Sequence, residues 1–518
     1  LAPSVRKFCR EVQQRTSALH CGHQHQTVHM ASRSAVKDDG TGAEPTLMVN
    51  LGPDACNQLK RTLTFFDGFA FVIGSLIGAG LFVSPGYIYK SVGPIGTLVA
   101  WTISGLLALA GALCYSELAT LLVSAGSEST YLKAAFGRVS AFCYVFMLFV
   151  VIGPGALAAI TGVCAVYLVS GLAWAVPDTP LVIQLVSIGL VVFIAGVNLA
   201  GSSSSALLQR VLLYVKFLTV GAVLLSAVIH RSVATPARAD VMSMGNLFDG
   251  LNWDFVVYAI MKAVFAFNGF QMLAPLSEEM LNPSRDVPRV FLAGISSVTG
   301  LGLLVIVSFM SVLEPNEMST ASLAAPFFSR IGGSSLCSVT SILIALCAAG
   351  SANAKLAGCT RVFYSAARDH LFPSPFGRVS SRGVPFVSIV ACAAWAIVLQ
   401  ICVPNLDQVM NYFMIGQIIV FALVGAALIR LRFTMPAPRV YKVALYPVTP
   451  IAFTLACLFL VAYSLFDPNP STATTSRYAL LLTFAGLPIY FITTYCTKLV
   501  YYLRHRWTPT VGPNVPMT

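Results

Sequence analysis

The sequence predicts an all-α polytopic membrane protein with twelve transmembrane helices, arranged as a five-plus-five inverted repeat in which helices 1 and 6 are broken. Composition is the first observation behind this prediction. Of 518 residues, 57% are hydrophobic and 10% are charged, whereas soluble domains have about 25% charged residues. The second is a series of apolar runs, each long enough to span a bilayer. They lie at 67–91, 95–122, 137–171, 180–200, 206–230, 253–280, 290–313, 335–369, 385–403, 406–431, 444–466 and 476–502. The third is that glycine and asparagine interrupt the first and sixth runs. The low fraction of charged residues excludes a single water-soluble core.

The segment before the first run, residues 1–66, is polar and mixed in charge. This composition predicts a disordered cytoplasmic N-terminal tail. The chain opens on Leu and Met30 reads like an ordinary start, so residues 1–29 are expected not to belong to the natural protein. A histidine- and cysteine-rich cluster in the tail, at 20–29, suggests metal binding only weakly because the tail is disordered. No metal or other cofactor is expected.

Basic residues indicate how the runs are oriented. The net charge is +12, and most Lys and Arg lie in short gaps on one side of the predicted bundle. Cytoplasmic loops carry this excess, so the sequence predicts cytoplasmic N- and C-termini, with a C-terminal tail at 503–518. The charge therefore reflects topology, and no nucleic-acid partner is expected. An integral protein of the plasma membrane is predicted.

The first apolar run contains Gly74-Ser75-Leu76-Ile77-Gly78-Ala79-Gly80. Each glycine costs about 1 kcal/mol relative to alanine inside a helix. A helix broken here would leave free N–H groups on one half and free carbonyls on the other. These groups could bind the carboxylate and the ammonium of a zwitterion. The alternative is close helix packing through small residues, and this stretch alone does not decide between the two.

The sixth run repeats the irregularity in Phe265-Ala266-Phe267-Asn268-Gly269-Phe270. Irregular first and sixth helices are what an inverted repeat requires, because each opens one half. The sequence therefore favours broken helices, with repeats at 67–230 and 253–431 and two further helices at 444–502.

Ionisable residues within apolar runs are expensive and point to function. Lys216 lies in the middle of the fifth run, where it could be a fixed cation near a substrate or a proton-binding group, with snorkelling as the alternative. Glu117 is interpreted as structural pairing, and Lys355 and Arg361 as snorkelling to the cytoplasmic side. No Walker A loop, His-Glu-x-x-His or Gly-x-Ser-x-Gly motif occurs, so no enzyme activity is predicted.

Motifs on separate helices carry a family resemblance. They are Gly74 to Pro85, Gly111-Ala112-Leu113-Cys114-Tyr115-Ser116-Glu117-Leu118, Ser277-Glu278-Glu279-Met280-Leu281-Asn282-Pro283 and Gly486-Leu487-Pro488-Ile489-Tyr490-Phe491. Together they resemble the amino acid–polyamine–organocation superfamily, and more narrowly the light chains of heteromeric amino-acid transporters (the L-type group). The resemblance implies the twelve-helix fold with inverted repeats and sodium-independent movement of amino acids, usually as an antiporter.

By position, the resemblance also implies the substrate-binding residues. They are Ser75, Leu76, Gly78, Ala79, Gly80, Ala156, Ile160, Phe265, Asn268 and Gln417. The N–H groups of 78–80 would bind the substrate carboxylate, and the carbonyls of Leu76 and Phe265, with the backbone near Asn268, would bind the ammonium. Phe265 would also act as a gating lid, and Lys216 matches the family's coupling lysine. The remaining positions, on the third and tenth helices, would line the side-chain space.

Departures from the family pattern modify this expectation. Val176 stands where the light chains carry the cysteine that is disulfide-linked to a heavy chain. No disulfide-linked heavy chain is therefore expected, while a non-covalent one stays open. Gly153, not Arg, precedes Pro154. Asn268 carries no charge to balance a cationic substrate, which favours neutral ones.

The sequence thus predicts a sodium-independent exchanger of neutral L-amino acids that works by alternating access. Two alternatives stay open: proton-coupled amino-acid uptake in which Lys216 titrates, and a non-transporting membrane sensor of amino acids.

Overall fold

The structure, a computed structural model, is predominantly helical in the part of the chain that it describes. This part comprises residues 59, 61–78, 80–172, 176–177, 179–233, 247–248, 251–319, 323–402, 406–466 and 470–506. Within it, nine helices are long and apolar enough to cross a membrane by length and composition. The all-α polytopic class is confirmed, and the count of twelve and the inverted repeat stay predictions. The tail to residue 58 with its histidine cluster, and residues 507–518, lie outside the described residues.

The first half of the described chain is built from seven α-helices. They are α1 (Phe65–Leu76), α2 (Gly80–Leu121), α3 (Glu128–Phe136), α4 (Arg138–Met147), α5 (Gly153–Gly171), α6 (Pro180–Ala200) and α7 (Ser202–Val233). A π-helical turn, Leu148–Ile152, joins α4 to α5. α2 bends at Gly93, where φ is 68°, and Pro94 follows. This bend separates the first two predicted runs.

The second half contains eight α-helices and one long 3₁₀ helix. They are α8 (Val256–Ala266), the 3₁₀ helix (Phe270–Glu279), α9 (Pro283–Val312), α10 (Pro315–Met318), α11 (Ala324–Arg368), α12 (Phe386–Cys402), α13 (Leu406–Thr434), α14 (Val448–Leu465) and α15 (Pro470–Arg506). α11 bends at Gly333, where φ is 71°. The predicted eighth run begins two residues later.

Helix packing places the two interrupted helices inside the bundle. α11 packs along α5, and α2 packs along both α8 and α9. α1 contacts α7, α9 and α11. By contrast, α6 and α7 expose apolar side chains on their outer faces, among them Leu185, Val192, Phe193, Leu218 and Leu225. Such a continuous apolar exterior suits hydrocarbon, in which all backbone groups must be paired within helices.

A short backbone pairing links the start of α1 to the end of the 3₁₀ helix. The N–H groups of Thr62 and Leu63 both donate to the Glu279 carbonyl at 2.9 Å, and the Leu281 N–H donates to the Leu63 carbonyl at 2.9 Å. α1 then begins with a capping box between Thr64 and Asp67, which satisfies N–H groups that a helix start leaves unpaired. The start of α1 and the end of the 3₁₀ helix are therefore joined by main-chain hydrogen bonds.

Ion pairs cluster at the end of the bundle that is predicted to be cytoplasmic. The fully buried Glu117 of α2 binds Arg432 and Arg439, which confirms its structural pairing. The Arg361 Nε donates to the Glu279 Oε1 at 2.8 Å, and both side chains are buried. The prediction that Arg361 snorkels to the surface is therefore wrong, because an internal carboxylate satisfies its charge.

Candidate functional site

The first interruption separates α1 from α2. α1 ends at Leu76, Ile77 and Gly78 are not helical, and α2 begins at Gly80. The Gly78 N–H donates to the Leu76 carbonyl at 3.0 Å. The two groups expected to bind opposite ends of a substrate are thus hydrogen-bonded to each other, and a substrate would have to replace that bond. Ala79, also expected in the site, lies outside the described residues.

The second interruption separates α8 from the 3₁₀ helix. α8 ends at Ala266, a turn covers Phe267 to Gly269, and the 3₁₀ helix starts at Phe270. Gly269 has a φ of 132°, a conformation that side chains other than glycine rarely adopt. Phe265 lies in the last turn of α8; its side chain, and so its role as a lid, lies outside what the structure describes.

Ser75 joins the two interruptions directly. Its Oγ lies 2.8 Å from the Val72 carbonyl within α1 and 2.8 Å from the Gly269 carbonyl. The single hydroxyl proton is therefore shared between two acceptors. One is the Val72 carbonyl within α1, and the other is the Gly269 carbonyl in the second interruption. The interruption of both helices is confirmed, and the structure brings them into contact.

Gly269→Ala is expected to destabilise the fold by about 1–3 kcal/mol, because its φ is strained for alanine. The new Cβ would also lie 2.9 Å from the Ser75 Cβ. Thermal unfolding of the purified protein measures the effect. Gly221→Ala is the matched control, because nothing lies within 4 Å of a Cβ at Gly221. Equal unfolding temperatures for the two variants would contradict the prediction.

Lys216 of α7 is fully buried and joins the first interruption to α11. Its Nζ donates to the Gly74 carbonyl at 3.0 Å and also to the Ile77 and Cys347 carbonyls. The Ser351 Oγ donates to the Gly74 carbonyl at 2.8 Å and lies 3.4 Å from the Nζ. An ammonium has three donors, and three carbonyl oxygens use them. The snorkelling alternative for Lys216 is therefore wrong.

A second cluster of polar side chains, near Lys216, was not predicted from the sequence. The Gln209 Nε2 donates to the Ala70 carbonyl at 3.2 Å, and its Oε1 accepts from the Asn353 Nδ2 at 2.8 Å. The Asn198 Nδ2 donates to the Asn353 Oδ1 at 2.8 Å. These bonds tie α1 to α7, α11 and α6. Amides inside otherwise apolar runs were the sequence signal, because buried polar groups need partners.

One face of α13 lies against the second interruption. The Asn268 Nδ2 approaches the Met414 Sδ at 3.2 Å, and the Phe270 and Phe421 rings stack at 5.1 Å. Gln417 is one turn from each of these α13 residues, so it lies on the same face. It is buried, and its Nε2 has no hydrogen-bond partner among the described residues. A thioether is a weak acceptor, so two amide donors at this interruption are poorly satisfied.

The two predicted residues of the third span lie one turn apart on α5, the helix that packs along α11. Ala156 is buried and Ile160 is partly buried. Gly80 is the first residue of α2. Among the residues that the structure describes, no group of three or more His, Cys, Asp or Glu side chains could hold a metal ion.

Comparison with known proteins identifies the kind of chain that carries this site. The family model described as amino acid permease matches residues 63–487. The chain is 27% identical over 469 residues to the human (Homo sapiens) cystine/glutamate transporter, covering 89% of this chain and 90% of the relative. It is 26% identical over 445 residues to the mouse (Mus musculus) b(0,+)-type amino acid transporter 1, covering 85% and 89%. It is 22% identical over 460 residues to the rat (Rattus norvegicus) large neutral amino acids transporter small subunit 2, covering 88% and 85%.

The family match includes both interrupted helices and the residues that join them. The similar proteins are transporters and not enzymes, and the apolar helices make this chain an integral membrane protein. The chain belongs to the amino acid permease family.

Proposed function

We propose that the chain exchanges neutral L-amino acids across a membrane by alternating access, without sodium. The observation that carries the proposal is the pair of interrupted helices joined through Ser75 and Gly269. Unpaired backbone at mid-membrane is tolerated only where it is buried in protein or lines a cavity. Opposed helix ends supply N–H groups for a carboxylate and carbonyls for an ammonium. A zwitterionic amino acid carries both charges.

Binding would exchange internal hydrogen bonds for bonds to substrate. The Gly78 N–H and the Leu76 carbonyl, which bond to each other in this structure, are the groups proposed to receive the carboxylate and the ammonium. The Ala79 and Gly80 N–H groups and the Phe265 carbonyl would complete the two ends. Because the substrate replaces bonds that the site makes internally, part of its binding free energy offsets their loss.

Lys216 supports independence from sodium. Its ammonium is held by carbonyls of α1 and α11, so a fixed positive charge already bridges these helices. Loss of its proton would leave one of three oxygens without a donor, which costs about 1–3 kcal/mol. This geometry favours a fixed cation over a titrating one. Net uptake driven by a pH gradient into liposomes without internal amino acid would instead support proton coupling.

Side-chain preference rests on Asn268. It lies in the second interruption, and its amide carries no charge that could balance a lysine or arginine substrate. Ala156, Ile160 and Gln417 are proposed to line the same space. The relatives' names cover cystine, glutamate and large neutral amino acids, so the family alone does not select the substrate.

The experiment is counterflow with the purified chain in liposomes, using a panel of internal and external amino acids. Gly78→Val is expected to reduce exchange about a hundredfold, because small misplacements at a binding site have effects of that size. The new Cβ would lie 2.6 Å from the Ser351 Oγ. Exchange by Gly78→Val or by Phe265→Ala at the parent rate would overturn the proposal, with Gly221→Ala again as the control.

Assembly and location follow as further parts of the proposal. One relative is named a small subunit, which suggests a larger partner for this chain. Val176 lies in the loop between α5 and α6, so we propose that any heavy chain binds non-covalently and that the complex lies in the plasma membrane with both termini cytoplasmic. Migration with a heavy chain on a native gel, but not on a denaturing non-reducing gel, is the expected result.

A further inference from the structure

Lys355 is a buried cation for which the described residues provide no hydrogen-bond partner. It lies within the membrane-spanning part of α11 and is 4% exposed. Among the described residues, none forms a hydrogen bond with its Nζ. The buried cations Lys216, Arg361 and Arg439 all have oxygen partners. The prediction that Lys355 snorkels to the surface is therefore wrong, and within the described part of the chain no acidic side chain forms an ion pair with it.

The position of Lys355 relative to the two interruptions follows from its neighbours on α11. Ser351, one turn earlier, bonds to the Gly74 carbonyl beside the first interruption. Gly358 packs against Met272 of the 3₁₀ helix, since a Cβ there would lie 2.7 Å from the Met272 Sδ. Residues three and four apart share a helix face. Lys355 thus lies roughly 6 Å along the helix axis from the first interruption, between it and the second.

The same turn of α11 also borders α5, the helix that carries Ala156. A Cβ at Gly153 of α5 would lie 3.3 Å from the Cys359 Sγ, and Cys359 follows Lys355 by one turn. Lys355 therefore lies on the stretch of α11 whose neighbouring turns contact the first interruption, the 3₁₀ helix and α5, the helix proposed to line the substrate side chain.

No anion of the chain neutralises this lysine among the described residues. The thiols of Cys359 and Cys392 are within electrostatic range of its ammonium. Glu128, which is also buried, acts on the same Cys359 thiol. Its Oε1 accepts from the Tyr115 hydroxyl at 3.1 Å and its Oε2 has no hydrogen-bond partner among the described residues, but it is not within ion-pair distance of Lys355. A buried charge without a counter-charge is strongly unfavourable. An anionic group that enters with the substrate would compensate it.

We propose that Lys355 is a specificity-determining residue that lets the site accept amino acids with a carboxylate side chain, such as glutamate and aspartate, in addition to neutral ones. This inference rests on the proposed exchange function. The zwitterionic ends bind at the interruptions, and the side-chain carboxylate receives the Lys355 ammonium. The Asn268 Nδ2 and Gln417 Nε2 are further donors for a side-chain oxygen. The same charge repels lysine and arginine.

The test compares glutamate with alanine in counterflow into liposomes containing the full chain. The parent is expected to exchange both. Lys355→Met keeps the side-chain length and removes the charge, and it is expected to lower the ratio of glutamate to alanine exchange about thirtyfold or more, the usual effect of truncating one partner of a buried charge pair. Lys355→Arg is expected to retain measurable glutamate exchange. Lys90→Met, at an exposed lysine, is expected to leave the ratio unchanged.

The outcomes separate this inference from the proposed function. Alanine exchange without glutamate exchange by the parent, or an equal loss of both by Lys355→Met, overturns the inference and leaves the function standing. Failure of the parent with every amino acid overturns the function. If Lys355→Met does not fold, the unfolding temperature of the parent, measured with each amino acid, tests the inference instead. Glutamate is expected to raise the unfolding temperature, and no rise with glutamate beside a rise with alanine overturns the inference.

Discussion

Lys216→Met is expected to reduce the proposed amino-acid exchange about a hundredfold or more, the scale that misplaced binding groups reach. The substitution removes the donor that the Gly74, Ile77 and Cys347 carbonyls share. Each buried oxygen left unpaired costs roughly 1–3 kcal/mol. Because the Gly74 carbonyl belongs to the last turn of α1 and the Ile77 carbonyl to the first interruption, the loss releases this segment from α11 at the proposed binding site.

The rate of exchange in liposomes measures this prediction, and a size-exclusion profile confirms that the variant folds. Lys90→Met is the control. Ser351→Ala provides a milder change at the same place, since it removes one short bond, to the Gly74 carbonyl, and the two longer contacts of the same hydroxyl with the Lys216 Nζ and the Cys347 carbonyl. It is expected to lower exchange about tenfold, as one such bond is worth roughly 1.4 kcal/mol. Parent-like exchange by Lys216→Met would show that the charge is not needed.

Glu117→Gln is expected to destabilise the fold by about 3–5 kcal/mol, the usual effect of breaking a buried ion pair. The Glu117 Oε1 accepts from the Arg432 Nε and the Arg439 Nη1, both at 2.8 Å. Its Oε2 accepts from the Arg432 Nη2 at 2.6 Å and from the Val443 N–H at 2.7 Å. A glutamine would present its amide N–H donors to the N–H groups that the carboxylate accepts from. It would also leave two arginines without a counter-charge.

Thermal unfolding of the purified variant, followed beside the parent, measures this effect. Glu314→Gln is the control, because Glu314 pairs with Arg330 at 2.9 Å but its side chain is 61% exposed. Exposed pairs contribute about 1 kcal/mol or less. Similar unfolding temperatures for both variants would contradict the prediction. Relative rates among substrates are expected to stay unchanged in Glu117→Gln, because the Glu117 carboxylate bonds to Arg432, Arg439 and Val443 and to neither interruption.

Sequence patterns predicted the interruptions because these depend on local chemistry. Glycine clusters and a lone Asn-Gly pair weaken a helix wherever it packs, so both breaks are visible without tertiary information. The apolar runs also depend only on local sequence, and the helices α6 and α13 begin where their runs begin. Lys216 was noticed for the same reason, as a charge at the centre of a run.

Partners of polar side chains were not predictable in this way. An apolar run indicates the depth of a residue in the bilayer but not which neighbour it faces. Lys355 and Arg361 lie in the same helix, and both were expected to snorkel. The structure buries both side chains and pairs Arg361 with Glu279, whereas the Lys355 Nζ has no hydrogen-bond partner in the part of the chain that is described. The hydrogen-bonded cluster of Asn353 and Gln209 was not predicted, because its members come from helices far apart in sequence.

The backbone pairing of Leu63 with Glu279 and Leu281 constrains how the protein can open. Main-chain bonds do not depend on side-chain identity, so this link holds the start of α1 and the end of the 3₁₀ helix as a unit. If one of them swings outward while the pairing persists, the other must travel with it. Release of cargo on that side then requires a joint displacement of two half-helices away from α7 and α11, and a motion of α1 alone would first have to unzip three main-chain bonds.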